Sequence, residues 1–155
     1  MKSVLFVCTG NVFRSVTAEY ALKARLGPEL RLIVGSAGIV AKPQSLHPMI
    51  SDYLRAKGAD PSAHVPRKLT RELLEQVDLA VAMSLDHRDF IKQQFGRDVP
   101  LFNQVCFERE EPVLDLHEVI PDWASDMHAA RAYVQSVVDH IWEAAPSLLA
   151  RLPYL

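Results

Sequence analysis

Short runs of consecutive apolar residues alternate along the chain with stretches in which apolar positions recur every three or four residues. Val4 to Cys8 is an unbroken apolar run with two valines and a phenylalanine. Such a run predicts a strand buried on both faces of a parallel sheet. Thr9-Gly10-Asn11 breaks it, and from Ser15 the period changes. Ala18, Ala21, Leu22 and Leu26 then share one helical face, and Gly27-Pro28 ends the pattern. Arg31 to Gly35 predicts a second strand, with Ser36-Ala37-Gly38 following as a loop.

Further on, Pro48 to Lys57 predicts a helix with Gly58 just past its end. Thr70 caps a short helix reaching Gln76. Asp78 to Met83 predicts a third buried strand, and Ser84 caps a helix that ends at Gly96. Val99 to Phe102 predicts a short fourth strand, and residues 103–124 read as irregular. Ser125 or Asp126 caps a long final helix running to about Ala144, where Pro146 intervenes. Strands alternating with helices imply β-α-β units, hence an α/β three-layer sandwich. With no linker or repeat, residues 1–155 read as one domain.

Composition narrows the function classes. A chain of 155 residues buries roughly 70% of its unfolded surface and needs no metal or disulfide to hold a core. Hydrophobic residues make up 49% and charged residues 23%, with a formal net charge of −2. That balance argues against a nucleic-acid or membrane-surface partner, since both select a basic face. The N-terminal apolar run is too short for a signal peptide, and no stretch is long enough to span a bilayer. Two cysteines, Cys8 and Cys106, make no disulfide framework and have no zinc-ligand spacing. A cytoplasmic protein with reduced thiols and no metal or other cofactor is expected.

The candidate chemistry lies in Cys8-Thr9-Gly10-Asn11-Val12-Phe13-Arg14-Ser15, between the first strand and the first helix. The backbone N–H groups of residues 9–15 can converge there on a phosphate. Gly10 and Asn11 tolerate the positive φ that such a loop needs. A thiol attacks phosphorus as the thiolate, which a helix N-terminus and a neighbouring guanidinium both favour. Arg14, six residues beyond Cys8, can hold two phosphate oxygens with its planar fork and stabilise the transition state. The Ser15 hydroxyl can hydrogen-bond the Cys8 sulfur. Cys106 reads as a structural thiol, and the six histidines are too scattered to form a metal site.

The segment VLFVCTGNVFRS, continuing TAEY, resembles the signature of the low-molecular-weight protein tyrosine phosphatases. SAG at 36–38, LHPMISDYLRAKGAD, HVPRKLT and DLAVAMSLDHRDFI echo the same family in its order. The resemblance implies a four-stranded parallel sheet flanked by helices and a phosphocysteine mechanism. It also implies a general acid from a distant Asp-Pro pair, best matched by Asp122, with Asp115 and Asp126 as fallbacks. A phosphotyrosine protein, a tyrosine kinase among the candidates, is the implied partner of a monomer or weak dimer.

Departures are informative. Trp123 replaces the proline after the acid and is a candidate wall of the substrate cleft, where the family has a tyrosine pair shortly after. Phe13 replaces a second loop cysteine, which removes that route to a protective disulfide. Val12 stands where the phosphoarginine branch has threonine, and so points toward aryl phosphates. Two rival readings remain: a phosphate-reading module with little turnover, and an arsenate reductase-like enzyme, which would need a second downstream cysteine.

Overall fold

A computed structural model describes residues 1–28 and 30–154. Strand β1 (Ser3–Cys8) is buried at every position. Val4, Phe6 and Cys8 pack into a core with helices α1 (Arg14–Lys23), α2 (Pro48–Ala56), α5 (Phe102–Phe107), α6 (Leu116–Val119) and α7 (Met127–Arg151). Leu5 and Val7 point the other way, into a smaller core with α3 (Arg71–Gln76) and α4 (Leu85–Phe95). The period of two along β1 thus feeds two apolar layers, as expected of a parallel strand covered on both faces.

β1 pairs in parallel with β2 (Ile33–Gly38) and β3 (Leu79–Ala82), in the order β2-β1-β3. The four-stranded sheet expected from the sequence is corrected to three strands among the described residues. Val99 to Phe102 contributes one parallel bridge, Ala82 to Leu101, through Ala82 N–H to Pro100 O at 2.9 Å. Two features stop the ladder there. Pro100 has no N–H to give, and the Leu101 N–H donates instead to Gln104 Oε1 at 3.2 Å. The chain then turns into α5.

Three further boundaries differ from the sequence pattern. β2 runs later than Arg31 to Gly35, because Ser36, Ala37 and Gly38 pair with Phe6, Val7 and Cys8. The irregular 103–124 stretch contains α6 and most of α5, with a 3-10 turn at Trp123–Ser125 straddling its end. Helix α7 does not stop near Ala144; it continues through Pro146 to Arg151. Pro146 is exposed, so the hydrogen bond its ring removes is lost on the face that water can reach. Asp126 caps this helix by accepting from Ala129 N at 3.1 Å.

Candidate active site

β1 ends at Cys8 and α1 begins at Arg14, so the intervening loop lies at the carboxyl end of the central strand, against a helix N-terminus. Asn11 makes the turn in the left-handed region at φ 56°; Gly10, expected to share that burden, does not have a positive φ. Asn11 is fully buried, and its carbonyl and both side-chain polar atoms are hydrogen-bonded. Its carbonyl accepts from His64 Nε2 at 2.8 Å, its Oδ1 accepts from Arg67 N at 3.1 Å, and its Nδ2 donates to Ser15 Oγ at 2.8 Å.

That last bond fixes the direction of the next one. Ser15 Oγ accepts from an amide that can only donate, so its own hydrogen is available to Cys8 Sγ, 2.9 Å away. A hydroxyl donating to sulfur holds that sulfur in place and can stabilise negative charge on it.

The loop also needs Gly38. A Cβ there would lie 2.6 Å from Thr9 O and 2.8 Å from Asn11 N. The absence of a side chain lets β2 approach the loop, and Ile39 N and Val40 N then donate to Cys8 O and Thr9 O, each at 3.0 Å. This is the physical content of the SAG segment.

Arg14 is 1% exposed. Its Nη1 donates to Ser84 Oγ at 3.0 Å and Val113 O at 2.8 Å. Its Nη2 donates to Asp115 Oδ2 at 3.2 Å and Thr9 Oγ1 at 3.3 Å. Glu118 adds a carboxylate 3.9 Å from Nη1. Nε, also buried, has no acceptor among the described residues. A buried guanidinium donor without an acceptor is costly, and an acceptor supplied by a ligand would offset that cost.

The structure brings Cys8, Thr9, Asn11, Arg14 and Ser15 together. Phe13 is buried in the core, whereas Val12 remains partly exposed. Asp122 is exposed just before the Trp123–Ser125 turn, and its side chain does not cap that turn. Asp115 lies instead against Arg14. Trp123 is half-buried and meets His47 edge to face, with ring centroids 5.9 Å apart. Its backbone N–H donates to Ile120 O at 3.1 Å, a bond that the proline of the family pattern could not make. The segment around Asp122 is therefore held at this position by a backbone turn. The sequence pattern set aside His64 and His87, took Ser84 only as a helix cap and did not single out Arg67, all of which brace the loop. Only the HVPRKLT and DLAVAMSLDHRDFI echoes flagged their neighbourhoods.

A family model described as low molecular weight phosphotyrosine protein phosphatase matches residues 3–153. The chain belongs to that family. Among its relatives, the protein-arginine-phosphatase of Bacillus subtilis (strain 168) is 41% identical over 121 residues, 77% of each chain. The low molecular weight protein-tyrosine-phosphatase Ptp of Acinetobacter johnsonii is 37% identical over 93 residues, 59% of this chain and 63% of that one. The crystal structure of a YwlE mutant from Bacillus subtilis superimposes with a TM-score of 0.82 at 29% identity, covering 99% of both chains. In this phosphatase family member, the strand-loop-helix unit thus carries Cys8 at the end of β1 and Arg14 at the start of α1, on one turn.

Proposed function

We propose that the protein is a phosphomonoesterase that hydrolyses phosphotyrosine in protein substrates through a phosphocysteine intermediate. The observation that carries this reading is the buried Arg14 Nε–H, without an acceptor among the described residues, on the same loop as the Cys8 thiol.

The Cys8 sulfur attacks phosphorus in line, and the bond from phosphorus to the tyrosyl oxygen breaks. Asp122 gives that oxygen its proton. The resulting carboxylate then takes a proton from water, whose oxygen attacks phosphorus as the S–P bond breaks, releasing inorganic phosphate. Arg14 and the amides of residues 9–15 hold the phosphoryl oxygens through both steps. The Ser15 hydroxyl stabilises the sulfur anion as attacking and leaving group. Trp123 walls the cleft.

The test is steady-state hydrolysis of p-nitrophenyl phosphate in EDTA, comparing wild type, Cys8→Ser and Asp122→Ala. Cys8→Ser should abolish turnover, and Asp122→Ala should lower kcat by about 100-fold or more. Activity that survives Cys8→Ser would sink the mechanism. Stable phosphate binding by a wild type that never turns over would instead favour a phosphate-reading module.

Phosphoarginine is the second reading, favoured by the 41% identity to the arginine phosphatase. Val12 is the argument against it. Turnover of phosphotyrosine and phosphoarginine peptides by wild type and Val12→Thr separates the two. A reductase is disfavoured by Cys106, a buried thiol that desolvation pushes up to about 12, leaving little thiolate for a disulfide relay. A cytoplasmic setting and a tyrosine kinase partner rest on family likeness alone. Substrate trapping with Cys8→Ser tests the kinase.

A further inference from the structure

His87 stands on the first turn of α4 and is fully buried. Its Nδ1 lies 3.1 Å from Ser84 N, and its Nε2 lies 2.8 Å from Thr9 Oγ1. A backbone N–H can only donate, so Nδ1 is the bare nitrogen. In the neutral ring the hydrogen therefore sits on Nε2 and is donated to the Thr9 hydroxyl.

The two residues that this ring contacts are those whose hydroxyls receive the Arg14 guanidinium. Thr9 Oγ1 accepts from Nη2, and Ser84 Oγ accepts from Nη1. Ser84 Oγ then donates to Val113 O at 2.8 Å. One imidazole thus joins the phosphate loop to the start of α4 and sets both hydroxyl supports of a single guanidinium.

We propose that His87 is a positioning residue for phosphoryl transfer: as the neutral Nε2–H tautomer it fixes Thr9 and Ser84 so that Arg14 keeps its Nε–H for the phosphoryl group. Burial first, and then the Arg14 charge, lower the imidazole to about 4, against the pull of Asp86 and Asp115. It is therefore neutral through the neutral range, with the one hydrogen that the geometry requires. A purely structural alternative exists, because the Nδ1 bond by itself caps α4.

The inference rests on the phosphatase reading, and two substitutions separate the halves of the ring. In His87→Asn the amide oxygen can replace Nδ1 and keep the cap, while the donor to Thr9 is lost. In His87→Gln the amide nitrogen can replace Nε2 and keep that donor, while the cap is lost. His87→Asn should lower kcat/KM for p-nitrophenyl phosphate by about 10- to 100-fold with little loss of Tm. His87→Gln should keep kcat/KM within about threefold of wild type despite a lower Tm. Thr9→Val lies outside α4 and should reproduce the Asn defect, with no further loss when the two are combined.

Equal activity losses in the Asn and Gln variants, or losses that simply follow Tm, would reduce His87 to a cap. Fully additive effects of Thr9→Val and His87→Asn would also overturn the proposal. If wild type does not hydrolyse the ester, the phosphatase reading fails separately. The same variants are then ranked by vanadate affinity, where an unchanged Kd in His87→Asn overturns the positioning role.

Discussion

The Cys8 to Ser15 loop and the Val113 to Asp126 segment meet at one guanidinium, but they are held in different ways. In the first, Asn11 is buried and bonded through its carbonyl and both side-chain polar atoms, and Gly38 admits β2 to van der Waals distance. In the second, Arg14 grips Val113 O and Asp115 at one end, while Asp122 is exposed and its side chain does not cap the turn that follows it. The proposed anion site is thus braced by the fold itself, which would lower the reorganisation that binding requires. The proposed acid is placed only by short backbone turns around it. On the proposed mechanism, phosphate binding and proton transfer should therefore be separable, and substitutions should fall into two groups.

The largest effect should come from the shared guanidinium. Arg14→Lys keeps one positive charge but loses the fork that reaches Thr9, Ser84, Val113 and Asp115 together. It should lower kcat/KM for p-nitrophenyl phosphate by about 100- to 1,000-fold and weaken vanadate in parallel. Asp115→Asn keeps an acceptor and removes only the charge, so it should cost about tenfold or less. If Asp115→Asn matched Asp122→Ala in kcat while sparing vanadate affinity, the acid role would move to Asp115, the fallback from the sequence.

A smaller effect concerns stability and acts on the first region. His87 titrates at about 4 in the fold and near 6.5 once unfolded. Between those values the unfolded chain binds a proton that the native state refuses. Its contribution is therefore complete above about pH 6.5 and is lost as pH falls toward 4. Denaturant unfolding of wild type and His87→Asn at pH 7 and pH 4.5 checks this. Wild type should lose more stability than the variant over that interval. Equal losses would mean that the loop braces are indifferent to this proton.

The strands, the helix faces and the cysteine-arginine turn were legible because each depends on local pattern. β1 reads as buried because every residue in it is apolar or small, and the turn reads as an anion site because strand, loop and helix are contiguous. The fourth strand was misread because Val99 to Phe102 has a strand's composition, while its pairing depends on Pro100 and on the Gln104 side chain beyond it. The supports of Arg14 were not legible at all. Ser84, Val113 and Asp115 lie 70 to 101 residues away in sequence, and no periodicity carries that distance. Asp122 was found through family likeness, and its exposure gives no independent sign of its role.

The smallest expected effect tests whether the two regions are as separate as they look. Tyr133 on α7 donates its hydroxyl to Leu114 O at 2.6 Å, between the two residues that Arg14 grips. Burial holds this phenol above its ordinary range, so it stays a donor at any working pH. Tyr133→Phe removes that one bond and leaves the ring, which should cost about 1 kcal/mol of stability. The slack enters the acid segment downstream of Val113, so kcat should fall about two- to threefold while vanadate affinity holds. A matching loss of vanadate affinity would show strain passing through Val113 and Asp115 into Arg14. The phosphate loop would then be rigid only because the acid segment is docked on it, and the guanidinium would be the joint between them rather than a boundary.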